Sequence, residues 1–300
     1  MSLWIPITIA AATFQTLRFM LQKHLSTSQL TAAGATFARF AYSAPIILML
    51  TAIWLGVSGQ ALPPMSGRFW VFALVGGLAQ ILATVCVVML FKQRNFAVGI
   101  TFKKTEVIQT VFVGLILLGE GVSWGGFGAI LIGLAAVLLL SKTPGSETSW
   151  WRGLMAPATG LGLASGVLFG VSAVSYRGAS LELGDIEPAL RAAITLAAVA
   201  TSQMIGMAAW LYWRDRGELA AVWTARKVAV WVGLMSMGGS FCWFYAFTLQ
   251  NAAYVKALGQ IELILSLLAS ILVFRETVTR REVAGMGLLG LSIVALIVLV

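Results

Sequence analysis

Apolar stretches alternate with short polar breaks along the chain, and ten stretches can be drawn. They run near Leu3–Lys23, Leu30–Val57, Arg68–Phe91, Phe96–Leu118, Trp124–Leu140, Trp151–Arg177, Pro188–Trp213, Lys227–Leu249, Ala252–Phe274 and Val283–Val300. About 20 apolar residues are needed for a helix to cross a hydrocarbon core of about 30 Å, so each stretch is predicted to be a membrane span. Backbone polar groups must be satisfied internally in lipid. Long apolar runs without strand alternation therefore choose helices over a barrel. The breaks carry boundary chemistry in Leu62-Pro63-Pro64, Lys142-Thr143-Pro144-Gly145 and Arg214-Asp215-Arg216-Gly217. Asn95 and Asn251 are placed to cap the fourth and ninth spans. Trp4, Trp54, Trp70, Trp124, Trp150, Trp151, Trp213 and Trp223 fall near span ends, as in an aromatic belt, whereas Trp243 lies inside the eighth span.

Composition agrees with this pattern. Of 300 residues, 59% are hydrophobic and 10% charged, against roughly 45–50% and about 25% in a soluble domain. The mean hydropathy is +0.92. Too few polar residues remain to cover a water-soluble globule. The glycine, proline and cysteine contents exclude collagen, disorder and a disulfide scaffold. Cys86 and Cys242 sit in apolar runs as core fillers, and the single histidine, His24, reads as structural. No phosphate loop, paired-His motif or nucleophile elbow occurs, so neither an enzyme, a metal nor a cofactor is expected. The net charge of +9 is scattered between spans and forms no basic arm, which argues against nucleic acid as a partner. The first span has no positive region before it and is not expected to be a cleaved signal peptide.

The second half repeats the first. In the register that places Asn95 on Asn251, Ala97 meets Ala253, Glu106 meets Glu262, Ile108 meets Ile264, Glu120 meets Glu276 and Val122 meets Val278. Asn and Glu are scarce here, so their coincidence is informative. Five spans per copy make the second copy enter the membrane from the opposite side. The expected fold is an all-α integral membrane protein, with ten transmembrane helices as two inverted five-helix repeats. Residues 1–142 form the first repeat, 143–151 a linker and 152–300 the second repeat. Such an architecture puts a site between the copies and supports alternating access. A duplicated structural bundle without transport is the bland alternative. Gly162, Gly166 and Gly170, with Gly121, Gly125, Gly285 and Gly290, mark close helix contacts, and dimerisation through them is a weaker inference.

Lys and Arg concentrate in the connections after odd-numbered spans, which the positive-inside rule makes cytoplasmic, with both termini outside. Arg18, Arg39, Lys103, Lys104, Arg191 and Lys256 remain within spans. Arg18 and Arg191, near span ends, are expected to snorkel, and Lys256 either snorkels or joins a site. Glu106 and Glu262 lie roughly 16 Å from their Asn caps, near the midplane, where a charge must face a cavity or a partner. Lys103, Glu106 and Thr110 share a helix face, and Lys103 can pair with Glu106. The functional reading is a central cavity in which the two glutamates face each other. Lys103, Lys104 and Arg39, joined by Lys256, would supply positive charge. The glutamates serve either as proton-coupling groups or as structural acceptors. Trp243 and Tyr245, within an aromatic stretch, are candidates for the apolar part of a substrate.

Glu106-Val-Ile, Glu120, Gly128 and Gly133, matched by Glu262-Leu-Ile, Glu276, Gly285 and Gly290, resemble the drug/metabolite transporter superfamily in its EamA-like ten-helix branch. Val107 and Leu263 stand where that pattern often has Pro, and Arg275 replaces a Gly before Glu276. The resemblance implies an inverted-repeat carrier, a monomer or weak dimer, often exporting amino acids or related metabolites. It also implies termini in the cytoplasm, opposite to the charge count. The expectation is a multi-pass carrier of the cell (inner) membrane. Its partners would be membrane lipids and a small-molecule substrate, favoured as an organic anion. The alternatives are a neutral amino acid or drug exporter and a flippase for a lipid-linked molecule.

Overall fold

A computed structural model describes residues 2–28, 30–91, 103–140, 157–265 and 280–300. Its helices are α1 (Trp4–Ser28), α2 (Ala32–Ser58), α3 (Gly67–Phe91), α4 (Glu106–Leu118), α5 (Trp124–Leu140), α6 (Pro157–Leu181), α7 (Pro188–Arg214), α8 (Arg216–Thr224), α9 (Arg226–Leu249), α10 (Ala252–Leu258) and α11 (Arg280–Leu299). Every expected span carries one of these helices. The short α8, which occupies the break after Arg214, was not expected. Asn95, the 143–151 linker, Trp150, Trp151 and Glu276 lie outside the described residues.

Local chemistry sets the helix ends. The Thr31 side chain accepts from the Gly34 N–H and caps α2, whose C-terminus is closed by Gly59 at φ 64°. Pro188 opens α7 at a position where its missing N–H costs nothing. Asn251 caps α10 as its type predicts, accepting from the Ala253 N–H at 2.8 Å. Between these ends, α2, α3, α6, α7 and α9 are long and apolar enough to cross a membrane, while α4, α5 and most of α11 are shorter and apolar. Leu48, Ile53, Val71, Leu78, Ile116, Ile205, Leu291 and Val298 are exposed, apolar side chains suited to contact with lipid. Trp70, Trp124, Trp213 and Trp223 are exposed near helix ends, where an aromatic belt lies.

Packing between the halves has two-fold character. Exchange α1 with α6, α2 with α7, α3 with α9, α4 with α10 and α5 with α11, and the neighbours map onto neighbours. The α3–α6 contact becomes α1–α9, α2–α9 becomes α3–α7, and α4–α6 becomes α1–α10; α2–α7, α4–α10 and α5–α11 map onto themselves. Gly166 and Gly170 of α6 press against Gln109 and Thr110 of α4, so the small-residue stripe serves packing within one chain. The connections sort onto two sides. Thr31, before α2, meets Glu218 of α8, and Ser66, before α3, meets Glu182 after α6. Connections after odd spans thus meet one another, as do connections after even spans, as alternate crossings require.

Candidate functional site

A cavity of about 30 Å³ lies between the halves, lined by Gln15 and Arg18 of α1, Arg39 of α2, Gln80 of α3, Phe169, Ser172, Ala173 and Tyr176 of α6, Ser240, Trp243, Phe244 and Phe247 of α9, and Lys256 of α10. It has room for a water or two and not for a metabolite, so a substrate requires the helices to part. The lining is polar and aromatic, and its charged members are all cations.

The two acids are already occupied. Glu106 lies 3.7 Å from Lys103 and 3.6 Å from Lys256. Glu262 accepts from Lys104 Nζ and, at 2.8 Å, from Gln15 Nε2. They do not face each other across an open space; each is wrapped by a lysine of the opposite half. Lys103 pairs with Glu106 as its spacing predicts. It stands 5.2 Å from the Phe169 ring centroid and off the cavity wall. Lys104 turns instead toward α5 and α11, beside Val107, Ile130 and Ser292.

Arg39 and Arg18 differ from these lysines. Arg39, 4% exposed, donates from Nε to Ser236 Oγ at 2.6 Å, from Nη1 to Thr84 Oγ1 at 3.3 Å and from Nη2 to Ser240 Oγ at 3.0 Å. All three partners are neutral hydroxyls. Arg18 is 3% exposed, its guanidinium 4.3 Å from the Phe19 ring centroid, and its buried Nη1 has no hydrogen-bond partner. It does not snorkel; the expectation from its position near a span end is corrected. The helix is longer than the apolar stretch, reaching Ser28, so Arg18 lies deeper than the run of apolar residues suggested. Neither arginine has a carboxylate partner among the described residues. Arg191 donates to the Gly184 carbonyl at the start of α7, away from the cavity.

The aromatic candidates divide. Trp243 lines the cavity, stacks on Phe247 at 5.7 Å, and leaves its buried Nε1 without a partner. Lys256 Nζ lies 5.0 Å from its ring centroid, a cation–π distance. Tyr245 is not on the cavity wall; it packs beside Phe241 at 6.0 Å. Two residues along a helix turn a side chain by about 200°, so Trp243 and Tyr245 could not both face inward. Tyr176 takes the inner place instead. It stacks on Phe244 at 4.2 Å, and its hydroxyl donates to the Gly76 carbonyl at 3.0 Å. Sequence reasoning missed Tyr176 and Arg18. For Arg18 a signal existed, because Gln15, Arg18 and Gln22 form one polar stripe at helical spacing on α1.

Two breaks in helical order flank the lysines. The chain turns at residues 104–105 before α4 begins on Glu106, and at 259–260 before helical structure resumes over 261–265. In the repeat register these places differ by one residue, and each comes just before the repeated glutamate of its half. At Gly259 the Trp243 ring occupies the room a side chain would need: an added Cβ would lie 2.4 Å from it. The interruption and the cavity wall therefore depend on each other.

On the side of the even connections the halves are clamped. Arg177 of α6 donates from Nε to both carboxylate oxygens of Glu120, at 2.8 and 2.7 Å, and from Nη1 to the Phe247 and Gln250 carbonyls at 2.6 and 3.0 Å. On the other side Glu218 accepts from the Thr31 N–H and hydroxyl at 2.6 and 2.8 Å. Among the described residues no cluster of His, Cys, Asp or Glu could hold a metal ion.

A bundle of apolar helices with a charged cavity between two halves is a membrane-embedded fold with a polar interior site. Residues 157–298, in the second half of the chain, match the model of the EamA-like transporter family, which supports membership in that transporter superfamily. The fold is accordingly all-α and membrane-embedded, ten helices in two inverted five-helix repeats. A solved structure titled only "Crystal structure of protein" aligns with a TM-score of 0.64 at 16% identity, over 97% of this chain and 99% of its own, so the shared fold includes the first half. No curated protein matches the chain. The protein is a multi-pass membrane transporter of small molecules.

Proposed function

We propose that this transporter carries a small organic anion across the cell (inner) membrane by alternating access. One observation supports the reading above others: Arg18 and Arg39 are buried in the cavity lining with no carboxylate partner among the described residues. A charge in that setting is costly unless a partner arrives, and an anionic group of the substrate is that partner. The Trp243 Nε1 is free to donate to it, and the Trp243 and Phe247 rings offer a face to its apolar body. Lys103 and Lys104, held by Glu106 and Glu262, serve the framework, and Arg18 takes their place in the substrate site. On this reading the carrier works as a monomer or weak dimer, with membrane lipids and the small-molecule substrate as its partners.

The test is a thermal-shift screen of purified protein with benzoate, succinate and inorganic phosphate at constant ionic strength, followed by uptake into proteoliposomes. A binder raises the melting temperature by mass action, and Arg39→Gln removes the effect. If all three anions leave the melting temperature unchanged while neutral amino acids raise it, the anion reading fails.

A second reading, passage of a lipid-linked molecule, has one feature behind it. An apolar cleft of about 340 Å³ opens between α2, α7 and α9, lined by Ile47, Leu50, Trp54, Ala193, Met237 and Phe241. Movement of a fluorescent lipid between leaflets in the same vesicles separates this reading from the first.

A further inference from the structure

We infer that this transporter works as an anion exchanger, crossing readily when loaded and poorly when empty. The inference rests on the anion reading above and adds what the site's charge does when no anion is present.

Among the described residues, five buried cations, Arg18, Arg39, Lys103, Lys104 and Lys256, lie in or beside the cavity, against buried Glu106 and partly buried Glu262. The carboxylates cannot be lent to the arginines. Glu106 sits between Lys103 and Lys256, and Glu262 between Lys104 and Gln15, so moving either one strands a buried lysine. The hydroxyls of Ser236, Ser240 and Thr84 satisfy the donors of Arg39 but bring no negative charge. Arg18 Nη1 lacks even that. Nor can the site shed its charge as protons, because a guanidinium does not deprotonate in a protein. Had the two unpaired cations been lysines, that escape would exist.

Alternating access takes the cavity through a form closed to water on both sides. An open cavity hydrates the guanidiniums, and closure strips that water away. With an anion bound the pair closes with part of its charge compensated; without one it closes with all of it uncompensated in a low-dielectric interior, which is more strongly disfavoured. The loaded carrier therefore reorients faster than the empty one. Uptake on one side then requires an anion to leave from the other.

The experiment uses the full chain in vesicles of phosphatidylethanolamine and phosphatidylglycerol, with the membrane potential clamped by potassium and valinomycin. The probes are labelled benzoate, succinate and inorganic phosphate. Uptake of a probe that binds is expected to be at least about tenfold faster into vesicles holding the same unlabelled anion than into vesicles holding sucrose, a ratio equivalent to about 1.4 kcal/mol. Arg18→Gln, verified as folded by its melting curve, is expected to bring the two rates closer together, because it removes one uncompensated charge. Equal rates into both vesicles for a probe that binds overturn exchange and leave the anion reading standing. A panel in which no probe binds or enters overturns both.

Discussion

The ammonium of Lys256, in α10, sits 3.6 Å from the carboxylate of Glu106, in α4. A residue of the second repeat thereby neutralises the acid of the first, and Lys104 of the first repeat does the same for Glu262 of the second. The acids are related by the repeat, but the lysines are not: in that register Lys104 falls on Gln260 and Lys256 on Ile100. Symmetric acids with asymmetric cations join the two short helices where both are interrupted. The same Lys256 also lines the cavity and faces Trp243, so it connects that junction to the site.

Removing Glu106 leaves Lys103 and Lys256 without their carboxylate. Glu106→Gln is expected to destabilise the protein by about 3–5 kcal/mol. Adding Lys256→Met should recover part of that loss. Thermal unfolding of the single and double variants in detergent checks the coupling; additive losses would show that the pair does not interact.

Lys104 and Arg39 are expected to separate framework from site. Lys104→Met lowers stability, because Glu262 loses its ion pair, but leaves the order of anion preference intact. Arg39→Gln removes a charge-assisted contact of about 1.5–3 kcal/mol and should weaken anion binding by roughly 10- to 100-fold. Calorimetric titration of each variant with a binding anion measures the split.

Gly259→Ala places a methyl against the Trp243 ring, where an added Cβ would lie 2.4 Å from it. Overpacking of this kind costs about 1–3 kcal/mol. The indole must shift, so affinity for an anion with an aromatic body should fall further than affinity for inorganic phosphate. Equal losses for both probes would mean that Trp243 does not contact the apolar part.

The Glu120–Arg177 clamp closes the side of the even connections. Glu120→Gln removes the charge that compensates Arg177 and leaves it one amide oxygen besides its two carbonyl acceptors. In a background with Cys86→Ser and Cys242→Ala, a cysteine at Thr248, which is buried below the clamp, is expected to react faster with a water-soluble maleimide once Glu120 is changed. An unchanged labelling rate would show that the clamp does not control access.

What could be read from residues alone follows from two short-range rules. A backbone in lipid must satisfy its own hydrogen bonds, so apolar run length marks each helix, and Asn251, Pro188 and the Pro63-Pro64 break lie where the structure begins or ends elements. Spacing on one helix was equally legible, as Lys103 and Glu106 show. The repeat register, carried by rare Asn and Glu residues, announced the two-fold packing of the halves. Which charge stays unpaired is a different kind of fact, because it depends on distances between helices far apart in the chain. Lys103 and Lys104 drew attention as an intramembrane basic pair, yet two glutamates claim them. Arg18 looked peripheral, yet α1 carries it against α9 and onto the cavity wall. Trp243 and Tyr245 read alike until α9 turned one inward and the other away. The sequence by itself determined the medium, the helices and their repetition, since these are set by local hydrogen bonding and hydrophobicity. Only the tertiary structure decided the site, since charge compensation in a low dielectric is settled by which residues meet across the two halves.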